Sequence, residues 1–189
     1  MKEGVKIPSV TFHTRVRDES IEGPNPYTWE DVTTEQLWGQ GRHLVFSLPG
    51  AFTPTCSTYQ LPGFEQMCTD GTFDKHMIES VSVISVNDAF VMNAWAKAQE
   101  IEHVQAIPDG SGRLTRMMGM LVDKDNLGFG YRSWRYAMVI RHGVVEKFFE
   151  EPGREDNHGE DPYGVTSPEN VLNYLEFVTE RDNEPTSVE

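Results

Sequence analysis

The sequence has few means of cross-linking itself, with two cysteines among 189 residues, Cys56 and Cys68. That number excludes a disulfide scaffold and fits a reducing compartment. Cys56 is followed by Ser57, Thr58 and Tyr59, so there is no C-x-x-C pair and no vicinal-dithiol exchange. No stretch approaches the roughly 18 apolar residues of a membrane span. The opening Met1-Lys2-Glu3-Gly4-Val5-Lys6 lacks the apolar region of a secretory signal, so a cytoplasmic location is expected. Positive charge is scarce too, 16 Lys and Arg against 30 Asp and Glu, for a net charge of −14. Such a surface repels phosphate backbones and anionic lipid, which argues against nucleic-acid and membrane partners but not against a small neutral substrate. Repeats and low-complexity tracts are missing, and the length is that of one domain with a sizeable core.

The acidic pairs Glu150-Glu151, Glu155-Asp156 and Glu160-Asp161 surround His158 in a Gly/Pro-rich stretch. They lack recognisable metal-ligand spacing and read as an exposed, solvated loop. No resident metal or cofactor is expected.

What the sequence does contain is a strand that runs into a cysteine-bearing helix. His43–Leu48 is a short apolar run of the kind that forms a buried strand, and Thr58–Leu61 opens a helix. At the junction Thr53 suits the N-cap, Pro54 the first helical position, and Cys56 falls at the third. The thiol therefore sits over backbone N–H groups without helical partners, at the positive end of the helix dipole. These are conditions that favour a thiolate. A helix terminus supplies about 0.3–1 kcal/mol, whereas lowering an ordinary thiol by about three pKa units takes roughly 4 kcal/mol. A fixed cation is needed, and an arginine should supply it.

The run Pro49-Gly50-Ala51-Phe52-Thr53-Pro54-Thr55-Cys56-Ser57 resembles the active-site loop of peroxiredoxins, in the wording of the peroxiredoxin-5 (type II) subfamily. The resemblance continues through Ser85–Val91, Ile107-Pro108-Asp109-Gly110 and Arg132–Val139, and covers roughly residues 4–179. It is greatest to the peroxidase part of bacterial glutathione-dependent peroxiredoxin–glutaredoxin hybrids. It implies a thioredoxin fold, a homodimer with contacts at Ala51-Phe52 and around Trp134, and a peroxidase in which Cys56 attacks a hydroperoxide and becomes a sulfenic acid. By the same resemblance Arg135 is the active-site arginine. The residues agree: in a strand Arg135, Ala137 and Val139 share one face, so the charge points to an apolar side and requires an anion. Thr53 is expected to offer its hydroxyl to the peroxide, Pro49 to shield the sulfur from water, and Arg132 to have a supporting role. The sequence departs from many subfamily members in having no resolving cysteine over residues 150–170, and no glutaredoxin domain follows residue 180. An external thiol reductant is therefore expected, glutathione with glutaredoxin first and thioredoxin second. A redox sensor and a non-enzymatic interaction module are the competing readings.

Periodicity predicts an α/β fold, a three-layer sandwich around a mixed sheet. The predicted strands are Ser9–Arg17, 43–48, Val81–Val86, Val104–Ile107, and a hairpin of Trp134–Ile140 with Val144–Phe149 turning at His142-Gly143. Residues 18–31 read as a loop, and Thr33–Gln36 as a capping box opening a short helix that ends near Gly39. The cysteine helix should reach about Cys68, kinked at Pro62. Asn87 or Asp88 should cap a helix with Phe90, Val91, Ala94, Trp95 and Ala98 inward, and Ser111 another with Leu114, Met117 and Met118 on one face. A last helix starts at Ser167-Pro168-Glu169, with Val171, Leu172, Leu175 and Val178 as its stripe. One domain, 1–180, and a frayed tail, 181–189, are expected. Twelve residues of helix put Cys56 and Cys68 about 18 Å apart, and a disulfide spans at most about 7 Å between Cα atoms. One working cysteine follows.

Overall fold

The computed structural model describes residues 2–183. Its strands are β1 (Thr11–Arg17), β2 (Tyr27–Thr33), β3 (Arg42–Ser47), β4 (Ser80–Ser85), β5 (Gln105–Pro108), β6 (Leu121–Asp123), β7 (Tyr131–Ser133), β8 (Tyr136–Arg141) and β9 (Val144–Glu150). The helices are α1 (Thr34–Trp38), α2 (Leu61–Thr69), α3 (Ala89–Ala98), α4 (Arg113–Met117) and α5 (Pro168–Asn183). No described helix is long and apolar enough to cross a membrane.

The apolar run of the central motif becomes β3, buried along its whole length at the centre of a five-stranded sheet ordered β5-β4-β3-β8-β9. Strands β3, β4 and β5 run parallel, while β8 and β9 pair antiparallel to form the other half, giving the expected mixed sheet. The hairpin turns where predicted, through His142 at φ 48° and Gly143 at φ 74°, the paired positive values that a tight hairpin turn needs. Alternation along β8 sorts its side chains as expected. Ala137 and Val139 join Leu44, Phe46, Cys56 and Phe64 on one face, and Tyr136, Met138 and Ile140 join Val45, Trp38 and Leu114 on the other. Both faces are covered by helices, and this is the three-layer arrangement of a thioredoxin-type fold. Phe64 of α2 stacks on Phe46 of β3 with ring centroids 4.1 Å apart. Close approach of α5 requires Gly63, where an added Cβ would lie 2.8 Å from Cγ of Pro168.

Several local expectations need correction. Residues 27–33 form β2, paired antiparallel with β1, rather than the end of a loop. Their mostly exposed side chains gave no apolar alternation to read. The two-stranded sheet β6-β7 was equally invisible, since each strand has only three residues. Asp88 caps α3 through the Val91 N–H, but the residues it buries are Ala89, Met92 and Trp95, and Phe90 is exposed. Helix α4 is capped not by Ser111 but by the buried Asp109, which accepts from the N–H groups of Leu114 and Thr115. Met117 is exposed while Leu114, Thr115 and Met118 are buried. Helix α5 buries Val171 and Leu175 and continues to Asn183, beyond the expected boundary at 180. The rest of the predicted tail lies outside the described residues.

Candidate active site

Pro54 begins the cysteine helix, and Ser57 N–H closes its first turn onto the Thr53 carbonyl at 3.0 Å. The turn then widens, and Cys56–Gln60 is a π-helical segment that passes into α2 without a break. Pro62 sits in the first turn of α2. Proline cannot donate to the carbonyl one turn back, and the wider turn stands just before it. The N–H groups of Thr55 and Cys56 have no hydrogen-bond partner among the described residues. They remain available to a negative charge. Two side chains pin the segment. Trp95 donates its indole N–H to Ser57 Oγ at 3.0 Å, and Asn87 Oδ1 accepts from the Ala51 N–H at 3.0 Å.

Cys56 is fully buried, and so, at 1% exposure, is Arg135. The sequence separates them by 79 positions, and the antiparallel pairing of β8 with β3 brings them together. Arg135 Nη1 lies 3.4 Å from Cys56 Sγ. The same Nη1 donates to Gln60 Oε1, and Nη2 donates to both carboxylate oxygens of Asp161 at 2.7 and 2.9 Å. Burial opposes the guanidinium charge, but Cys56 and Asp161 outweigh it and hold Arg135 above the usual arginine range. Its Nε is buried without a partner among the described residues. An unsatisfied charged donor in a dry site is costly, so this N–H marks a place for an acceptor.

Behind the pair lies a buried polar chain that the sequence reading missed. Gln60 Nε2 donates to Thr166 Oγ1 at 3.3 Å, and Thr166 Oγ1 donates to Glu151 Oε1 at 2.9 Å. Glu151 also accepts from the N–H groups of Gly164 and Thr166. The acidic stretch read as an exposed loop is thus partly structural. Glu151 is 2% exposed, and Asp161 reaches back to Arg135. Gln60 could have been found, because it stands four residues after Cys56 on a helix and so shares its face. Asp161 had no such signal, since its partner is in another element.

The remaining expected residues stand apart from the Cys56–Arg135 pair. Pro49 is buried, and with Thr53, Pro54, Thr55 and Asp161 it forms part of the wall of a groove. The Thr53 hydroxyl donates to the Gly50 carbonyl at 2.7 Å. It therefore neither caps the helix nor points a free proton at a substrate; its oxygen is left as an acceptor. Arg132 does not touch Cys56. Its Nη1 would lie 3.0 Å from a Cβ added at Gly50, and its Nε donates to the Phe129 carbonyl at 3.2 Å. It lies instead against the loop, close to Gly50.

Both cysteines are free thiols. Cys68 is half-buried, and burial, reinforced by Glu65, Asp74 and Asp70, pushes its thiol up to about 12. It should stay protonated and unreactive at neutral pH. Cys68→Ser is therefore expected to retain most peroxide turnover. In the reduced wild type a thiol-alkylating reagent should modify Cys56 well before Cys68, as read by peptide mapping, and the reverse order would contradict this assignment.

A redoxin family model matches residues 2–162. A peroxiredoxin of Rhizobium etli is 62% identical over 170 residues, covering 90% of this chain and 94% of its own. A hybrid peroxiredoxin of Haemophilus influenzae is 47% identical over 173 residues, which span 92% of this chain and 66% of that protein. Among solved structures, the Plasmodium falciparum antioxidant protein, described as a 1-Cys peroxiredoxin, superposes with a TM-score of 0.84 at 34% identity, covering 94% of this chain and 99% of its own. Reduced Prx3 of Vibrio vulnificus in complex with hydrogen peroxide superposes with a TM-score of 0.76 at 30% identity, covering 95% and 98% of the two chains.

Proposed function

The chain belongs to the peroxiredoxin family of thiol peroxidases, and on that premise we propose that Cys56 is its peroxidatic nucleophile, with glutathione as the regenerating thiol. The observation that carries the first part is the buried Arg135 Nη1 at 3.4 Å from Cys56 Sγ, at the start of a helix. The sulfur attacks the terminal oxygen of a hydroperoxide. A sulfur–oxygen bond forms, the O–O bond breaks, and sulfur loses two electrons to the departing oxygen, which takes up a proton and leaves as water or an alcohol. The donors best placed for the oxygen charge that develops are Arg135 and the free N–H groups of Thr55 and Cys56. The Thr53 oxygen accepts the peroxide O–H. Pro49 carries no N–H and keeps water from competing. Asp161 and Gln60 hold the guanidinium plane, so that its orientation is fixed before substrate arrives.

The sulfenic acid then needs a second thiol, and none lies at the site. Glutathione attacks the oxidised sulfur, the S–O bond breaks, and hydroxide leaves with the thiol proton as water. A second thiol takes the glutathionyl group and restores the Cys56 thiol. Support for this reductant is the likeness to the hybrid peroxiredoxin and the inertness of Cys68. We place the enzyme in the cytoplasm, where both cysteines stay reduced. We further propose a homodimer contacting through Phe52, which is 55% exposed, rather than through Trp134, which is buried.

The test is hydrogen peroxide consumption by the purified chain supplied with glutathione and glutaredoxin, compared with thioredoxin and its reductase. Faster turnover with glutathione is expected, with one glutathione on Cys56 visible in the intact mass at steady state. Turnover with thioredoxin alone would overturn the assignment of the reductant and leave the peroxidase standing.

A further inference from the structure

Lys124 is the one lysine among the described residues that is buried, at 3% exposure. It stands just after β6, where its N–H donates to the Gly130 carbonyl and its own carbonyl accepts from the N–H groups of Leu127 and Phe129. The ammonium lies 5.2 Å from the centroid of the Trp134 ring, which offsets part of its desolvation. Among the described residues its one recorded side-chain interaction is this one, and it forms no ion pair. Unlike Arg135 Nε, its nitrogen is not sealed from solvent, so the charge is open to an anion that enters from outside.

The side chain lines the groove that runs past Pro49 and Thr53, a cavity of about 350 Å³. Leu127 and Phe129 give it an apolar wall, and Glu160 and Asp161 face it with the opposite charge. His158 also borders it, its Nδ1 engaged by Glu155 at 2.7 Å. A hydroperoxide is neutral and needs neither charge. A ligand with a carboxylate, an ammonium and a short apolar body uses both, and it must bring a thiol to Cys56.

We propose that Lys124 is the carboxylate-recognition residue of a reductant subsite in this groove, and that the groove takes a small zwitterionic peptide thiol. Glutathione is such a thiol, and the proposal rests on its being the reductant. One of its carboxylates is held by Lys124, its ammonium faces Glu160, and its sulfur reaches Cys56 past Pro49 and Thr53. The subsite acts only in the second half of the cycle, when the thiol sulfur bonds to Cys56 and the sulfenic oxygen leaves as water.

The experiment oxidises the protein with one equivalent of hydrogen peroxide and follows reduction of the sulfenic acid by glutathione and, separately, by 2-mercaptoethanol, a neutral thiol. In Lys124→Met the ratio of the glutathione rate to the 2-mercaptoethanol rate should fall about tenfold, the worth of one charge-assisted hydrogen bond. Lys124→Arg, which keeps the charge, should recover most of that ratio. An unchanged ratio in Lys124→Met would overturn the subsite, because a merely structural lysine affects both thiols alike. Failure of glutathione to reduce the oxidised wild type would instead remove the glutathione reading itself, and the subsite with it.

Discussion

Cys56→Ser is expected to reduce peroxide consumption to the level of buffer while leaving the far-ultraviolet circular dichroism unchanged. The sulfur is the nucleophile that the helix start and the Arg135 guanidinium both face. A serine hydroxyl in its place stays protonated. The cost to the fold should be small, about 1 kcal/mol, because the hydroxyl has nearly the shape of the thiol and can accept from Arg135 Nη1, which lies 3.4 Å from the sulfur. Residual turnover in this variant comparable to the wild type would remove Cys56 from the mechanism.

Arg135→Met should have the next largest effect. The second-order rate of Cys56 oxidation should fall by about 10²–10³, the usual loss when one fixed donor to a developing oxyanion is removed. Two contributions add here, because the same guanidinium stabilises the attacking sulfur and the departing oxygen. Stability should fall less than for a fully buried ion pair. Asp161 is 45% exposed, so its carboxylate can rehydrate once its partner is gone. Arg135→Lys should recover only part of the rate, since an ammonium cannot serve Cys56, Gln60 and Asp161 from one plane. Stopped-flow tryptophan fluorescence on reduced protein mixed with hydrogen peroxide reads the rate directly. A rate within about threefold of the wild type would show that Arg135 is structural.

How far the sequence reached depends on whether the signal was local. The capping box at Thr33–Gln36 could be read because a cap and its partner are three residues apart, and the helix start at Pro54 because proline suits a first helical position. The alternation of Arg135, Ala137 and Val139 could be read because a strand repeats every second residue. The partners of Arg135 could not. Asp161 reaches it from a loop whose acidic composition resembles any solvated loop, and Glu151 is buried by contacts to the backbone of Gly164 and Thr166 that no periodicity announces. Exposed β2 failed for a different reason, since it pairs along one edge without burying a face. Thr53 was placed correctly at the helix boundary, but its hydroxyl orientation depended on the Gly50 carbonyl, a three-dimensional detail.

The central claim is that one cysteine carries the reaction and waits for an outside thiol. Reduced wild-type protein, mixed with one equivalent of hydrogen peroxide in the presence of a sulfenic-acid trap and then mapped by peptide mass, tests this most directly. The account predicts the trap on Cys56 alone, with Cys68 recovered as a free thiol. A disulfide joining Cys56 to Cys68, or a trap adduct on Cys68, would contradict it.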